Sequence, residues 1–161
     1  AQPKVQPAGL GARNTLRLEA GLCLHGTDMD ATTTPTQAGL NWSIPKVRRT
    51  GGDRAGGFIG AEVVLPQIEG LSPVPSVRVG LHALERVPVR DGTPLHIPGG
   101  AALGVVTSGS LAPSLDRPIA MGYVPPPFNQ LGTRLNAMVR GKPVSMQIVA
   151  LPFISTHYRK N

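Results

Sequence analysis

Val77-Arg78-Val79-Gly80-Leu81 alternates apolar residues with other types, and this two-residue rhythm decides the fold. Successive side chains of an extended chain point to opposite faces, so Val77, Val79 and Leu81 share one side. The rhythm returns at Leu103 to Thr107, Ile119 to Val124, Leu135 to Arg140 and Val144 to Ala150. Turn residues separate these runs: Asp91-Gly92, Gly99-Gly100, Ser108-Gly109, Pro125-Pro126-Pro127, Gly132 and Gly141-Lys142. Short strands at this spacing predict a small β-barrel or sandwich.

Upstream the rhythm is different. Phe58 to Glu69 carries a helical apolar pattern that Pro66 interrupts. Residues 45–57 combine Pro45, a basic cluster and two glycine pairs, and we place a domain boundary there. Leu40 to Ile44, with Trp42, reads as a strand. Thr34 followed by Pro35 predicts a brief helix ending near Gly39. Residues 9–24 fit alternation, yet Leu18 and Leu22 form a helical i, i+4 pair, and we read a short helix with Asn14 able to cap it and Gly21 near its end. The fold class is mainly β with short helices, α+β, divided into residues 1–50 and 51–161.

Composition bounds the function. The 161 residues suit one domain, or one small domain and part of another. Hydrophobic residues make up 40%, enough for a core, and no apolar run has the ~18 residues that span a bilayer. Gly (20) and Pro (17) divide the chain into short pieces. The net charge of +7 and pI near 10.5 suit polyanions and acidic proteins. Lys46, Arg48, Arg49 and Arg54 cluster without interleaved aromatic residues, which weakens a base-stacking role. The one cysteine, Cys23, lies between two leucines and reads as a small buried hydrophobe.

Few residues suggest chemistry. Asp28 and Asp30 near His25 lack the further carboxylates of a calcium loop and read as turn residues. His82, His96 and His157 have no zinc-like spacing, and no metal site is expected. Thr107-Ser108-Gly109-Ser110 matches neither a nucleophile elbow nor a phosphate loop and reads as a hairpin turn. Arg13, Arg17 and Glu19 stand among leucines in Gly9-Leu10-Gly11-Ala12-Arg13-Asn14-Thr15-Leu16-Arg17-Leu18-Glu19-Ala20-Gly21. Charges in such company are paired or await a ligand. One arginine can bridge to Glu19, and the other can grip a carboxylate with its planar fork. Arg17 suits the structural role, and Arg13 suits either. Trp42 reads as core before ligand platform, and Arg78 as exposed or ligand-facing. Tyr158 is close to the terminus, where Leu151-Pro152-Phe153 can anchor a tail that folds back.

These residues, in order, resemble the aminomethyltransferase family, the T-proteins of the glycine cleavage system. The resemblance rests on Gly9 to Arg13 with Leu16 to Gly21, on Thr33-Thr34-Pro35, Trp42 and Arg48-Arg49, and on Arg78-Val79-Gly80-Leu81. It continues through Val106-Thr107-Ser108-Gly109, Pro113-Ser114-Leu115, Ala120 to Pro125, and Pro152-Phe153 with Thr156 and Tyr158.

The resemblance implies a carboxyl-terminal part of such an enzyme: the end of an α/β folate-binding domain, then a small β-barrel. It implies transfer of the methylene of aminomethyl-dihydrolipoyl H-protein to tetrahydrofolate, with release of ammonia. The implied partners are lipoylated H-protein and folate. The implied compartment is the mitochondrial matrix in a eukaryote, otherwise the cytoplasm. Arg13 and Tyr158 match folate- or substrate-binding positions of the family, and Arg78 and Trp42 match positions lining the folate site. The family's catalytic aspartate belongs to a region upstream of the matched part, so no catalytic residue is expected here. Asn14, where the family usually has Asp, is a departure that leaves Arg13 and Tyr158 in place. The basic cluster at 46–54 is the expected docking surface for an acidic carrier. The alternative reading is a basic β-barrel that binds nucleic acid.

Overall fold

The computed structural model describes residues 4–156. The later part of the chain forms six strands: β1 (Val77–Ala83), β2 (Pro94–His96), β3 (Ala102–Ala112), β4 (Arg117–Val124), β5 (Arg134–Val139) and β6 (Lys142–Val149). All pairings are antiparallel, and the order β1-β4-β3-β2-β5-β6 closes into a barrel when β6 pairs β1. Closure leaves no open edge, so every strand finds two neighbours. The expected barrel is therefore present.

Alternation places the core. Val79, Leu81 and Ala83 of β1 and Val144, Met146 and Ile148 of β6 meet Leu95, Ala120 and Leu135 inside the barrel. β4 is buried on both faces. Its outer side carries Ile119 and Met121, which join Leu18, Ala112, Leu115, Leu151 and Phe153 in a second apolar cluster. Helix α1 (Leu10–Glu19) and the segment after β6 thus cover one wall of the barrel.

The expected helix over residues 9–24 is α1, and Gly21 follows it at φ +66°, a conformation that favours glycine. Its N-cap is Gly9, not Asn14. Asn14 lies inside the helix, where its Oδ1 accepts two hydrogen bonds from Arg17. Residues 35–39 form turns rather than an assigned helix. Thr34 and Gln37 cap that stretch reciprocally: Thr34 N–H donates to Gln37 Oε1 at 3.0 Å and Gln37 N–H to Thr34 Oγ1 at 3.3 Å.

Leu40 to Ile44 is not a strand. Asn41–Ser43 forms a tight helical turn, with Ser43 N–H and Oγ both donating to Leu40 O, so the backbone bonds locally before Pro45. Helix α2 (Ala61–Ile68) tolerates Pro66 two residues before its end, and the Pro66 carbonyl accepts from Leu71 and Ser72. Ser108-Gly109 is not a hairpin turn either. It lies inside the 11-residue β3, paired with Met121 and Ala120 of β4. β2 escapes sequence reading because three residues are too short to show a period.

Candidate functional site: a groove between α1 and the β3 bulge

The register of β3 against β4 shifts between Val106 and Ser108, so Thr107 is an extra residue. A bulge re-aims side chains that regular pleating would send to opposite faces. Here adjacent hydroxyls converge: Thr107 Oγ1 donates to Asp28 Oδ1 at 2.6 Å and Ser108 Oγ at 2.7 Å.

Asp28 is the centre of this lattice. It is 2% exposed. Its Oδ2 accepts from Leu24 N–H at 2.9 Å and from Arg17 Nη1 in an ion pair. The backbone carbonyl of Asp28 accepts from the Tyr123 hydroxyl at 2.7 Å. Burial pushes the Tyr123 phenol up to about 12, so it stays a donor. Arg17 is fully used: Asn14 Oδ1 lies at 2.9 Å from Nε and 2.7 Å from Nη2, and Ser108 Oγ at 2.8 Å from Nη2. Arg17 has the structural role expected of it, but its partner is Asp28 rather than Glu19. Glu19 is buried and accepts from Ser114 N–H at 2.8 Å and Ser114 Oγ at 2.7 Å. Its carbonyl accepts from Phe153 N–H at 3.0 Å, which ties the end of the barrel domain to α1.

One turn before Arg17 on the same helix stands Arg13. It is exposed, and its guanidinium has no hydrogen-bond or ion-pair partner among the described residues. It lines a groove of about 380 Å³ with Asn14, Arg17, Arg90, Thr107 and Ser108. The buried Arg17–Asp28 pair thus fixes the floor while Arg13 remains available. A planar guanidinium above fixed hydroxyls and an amide suits a carboxylate ligand.

The other expected site residues fall elsewhere. Arg78 Nε donates to Ala38 O at 2.8 Å and Nη1 to Gly21 O at 2.9 Å, joining β1 to two upstream turns. Trp42 is 73% exposed, so it is not a core residue. Neither lines the groove that holds Arg13. Tyr158 lies outside the described residues, as does His157.

The basic cluster is partly turned inward. Arg48 Nη1 donates to the carbonyls of Arg54 and Gly56, and Arg49 to those of Ile44 and Asn41. Two of the four cations therefore organise their own loop. Sequence reasoning missed Arg90 and the place of Asp28. The place of Asp28 had no signal in the sequence, because only the fold brings it against Arg17, eleven residues earlier.

The fold is a helix-covered antiparallel barrel, with the exposed guanidinium of Arg13 beside a fixed polar floor. Comparison with known proteins narrows this. Residues 77–154 match the glycine cleavage T-protein C-terminal barrel domain, and residues 1–48 match the GCVT N-terminal domain. A probable mitochondrial aminomethyltransferase of Schizosaccharomyces pombe is 44% identical over 99% of this chain and 39% of its own length. The mitochondrial aminomethyltransferase of Mus musculus is 44% identical over 97% of this chain and 37% of its own. The crystal structure of the glycine cleavage system aminomethyltransferase T from Bartonella henselae superposes with a TM-score of 0.89 at 41% identity, covering 99% of this chain and 43% of that one. The chain belongs to the glycine cleavage T-protein family. It spans about two fifths of the length of these relatives.

Proposed function

We propose that this chain forms the carboxyl-terminal part of a tetrahydrofolate-dependent aminomethyltransferase. That enzyme takes the methylene from aminomethyl-dihydrolipoyl H-protein, passes it to tetrahydrofolate and releases ammonia. The observation that carries the reading is Arg13: an unpaired guanidinium over a rigid polar floor, in a chain of the T-protein family. Folate ends in glutamyl carboxylates, and a planar guanidinium pairs with them through two parallel hydrogen bonds.

The residues divide the work. Arg13 grips the tail of the folate. Trp42, with its open face, offers a platform for a flat ring. Arg78 holds the turns at Gly21 and Ala38 in register with β1 and shapes that side of the folate site. Tyr158 is a further folate contact. The chemical step itself belongs to residues from the rest of the enzyme, and the division near residue 50 separates the end of the folate domain from the barrel. The positive charge suits an acidic lipoyl carrier, with Lys46 and Arg54 as the free cations of the 46–54 loop. The mitochondrial names of the relatives support a mitochondrial matrix location if the source is a eukaryote.

Titration of the full-length protein with tetrahydrofolate tests this reading. Arg13→Ala is expected to weaken binding by about tenfold or more. Unchanged affinity in that variant removes the assignment.

A further inference from the structure

The outer face of β1 is the seat of the segment that follows β6. Val79, Leu81 and Ala83 point into the barrel, so Arg78, Gly80 and His82 point out. The Leu151 side chain fills the space that a Cβ on Gly80 would take. Two residues further on, the Phe153 ring stacks on the His82 ring, with centroids 5.6 Å apart and planes 19° from parallel. Helix α1 holds the backbone of the same segment: the Phe153 and Ile154 N–H groups donate to the Glu19 carbonyl at 3.0 and 3.3 Å.

His82 is the weak point of this seat. Its Nε2 is buried and has no hydrogen-bond partner among the described residues. A neutral ring leaves one unpaired nitrogen there, whereas a charged ring needs an acceptor at both nitrogens. The surroundings supply none to Nε2. β4 sets Ile119 opposite His82, and Arg117, two residues earlier, adds a positive charge that opposes a second one. β6 sets the neutral Gln147 opposite. The carboxylates of the adjoining segments are engaged elsewhere: Glu19 accepts from Ser114, Asp116 pairs with Arg86, and Glu85 accepts from Ser145 N–H at 3.5 Å. Burial, helped by Arg117, therefore lowers the ring's affinity for a proton while the segment is seated.

We propose that His82 is a proton-operated catch, which holds the segment after β6 on the barrel wall when neutral and releases it when charged. Lifting the segment lets water reach the ring, which then takes a proton from solvent at its ordinary affinity. Acid thus favours the lifted state: the hold is complete above the ordinary histidine value of 6.5 and is lost progressively below it. The barrel closes through its own strand pairs, so release is local and leaves the six strands in place. The catch is independent of what Arg13 binds.

Hydrogen exchange of the full-length protein, read by mass spectrometry on the peptide spanning residues 150–156, tests the catch. Rates are divided by those of the unfolded chain at the same pH, which removes the chemical pH dependence. Protection of this peptide is expected to fall by about fivefold or more between about pH 8 and about pH 5.5, while peptides inside β1 and β6 keep theirs. His82→Phe retains a stacking ring and removes the proton site, so its protection should stay level across that range. Arg117→Gln, a change at an exposed position, removes the opposing charge and should shrink the loss. A loss that persists in His82→Phe, as titration of His157 would produce, overturns the catch. So does a parent protein whose segment stays protected in acid, or one whose barrel peptides open in step with it. Should His82→Phe fail to fold, an Arg117→Gln profile identical to the parent's overturns it as well.

Discussion

Asp28 and Arg17 form the ion pair on which the groove depends. Their side chains are 0% and 11% exposed, so water screens them little. Replacing Asp28 with Ala removes the carboxylate that Arg17, Thr107 and Ser108 share and leaves the Arg17 charge without its ion-pair partner. We expect a loss of about 3–5 kcal/mol in urea unfolding, the usual cost of orphaning one member of a buried pair. The same change at Asp30, whose carboxylate bonds only Thr32 and Thr33 on the surface, should cost much less. His82 gives a pH signature. Its ring stacks on Phe153 at 5.6 Å, Nε2 is buried without a partner among the described residues, and burial, helped by Arg117, lowers its affinity for a proton. The unfolded chain therefore binds that proton more readily, and stability must fall as pH drops through and below the ordinary histidine value of 6.5. His82→Phe should flatten this fall between about pH 7.5 and about pH 5, read from urea midpoints. Burial also raises the Cys23 thiol, so iodoacetamide should label it more slowly than a free thiol at the same pH.

At the scale of elements, the β3 bulge and its glycine decide the geometry. A Cβ at Gly109 would run into the backbone carbonyl of Val89, which side-chain rotation cannot relieve. Gly109→Ala should cost about 1–3 kcal/mol and, through the bulge beside it, disturb the Thr107 and Ser108 hydroxyls. Gly80 has a related role. Leu151 lies where a side chain on β1 would stand, so the tail can pack flat on the strand. The chain's alternation showed five of the six strands, because each runs long enough to repeat its period. It hid β2, which has only three residues, and it misplaced Ser108-Gly109 in a turn. A glycine beside a serine has turn chemistry, but the close pass of Val89 explains Gly109 equally well. That pass involves residues far along the chain. Trp42 misled for a similar reason: Leu40, Trp42 and Ile44 alternate with polar residues before a proline as a strand would, yet no neighbouring strand among the described residues pairs with them and local hydrogen bonds form instead.

At the scale of the molecule, α1, the turns that follow it and the segment after β6 form a single layer over the barrel wall. Arg78 pins that layer from β1 through the carbonyls of Gly21 and Ala38. Arg78→Ala strands two carbonyls and should cost about 2 kcal/mol, with faster amide exchange at residues 21–39 than inside the barrel. Arg78→Lys should rescue little, since one ammonium cannot reproduce the fork.

The order of amino acids alone determined the barrel, the capping helix and the family to which the chain belongs. Those are carried by local period, turn chemistry and motif order, which each short stretch holds within itself. It also marked Arg13 as the residue to watch. Tertiary structure decided which charges were already spent. Arg17 turned to Asp28, Glu19 to Ser114, Arg78 to two carbonyls, and Arg48 and Arg49 to their own loop. A guanidinium reads the same in any sequence, and only the groups that folding brings within hydrogen-bond distance determine whether it is a strut or remains free for a ligand.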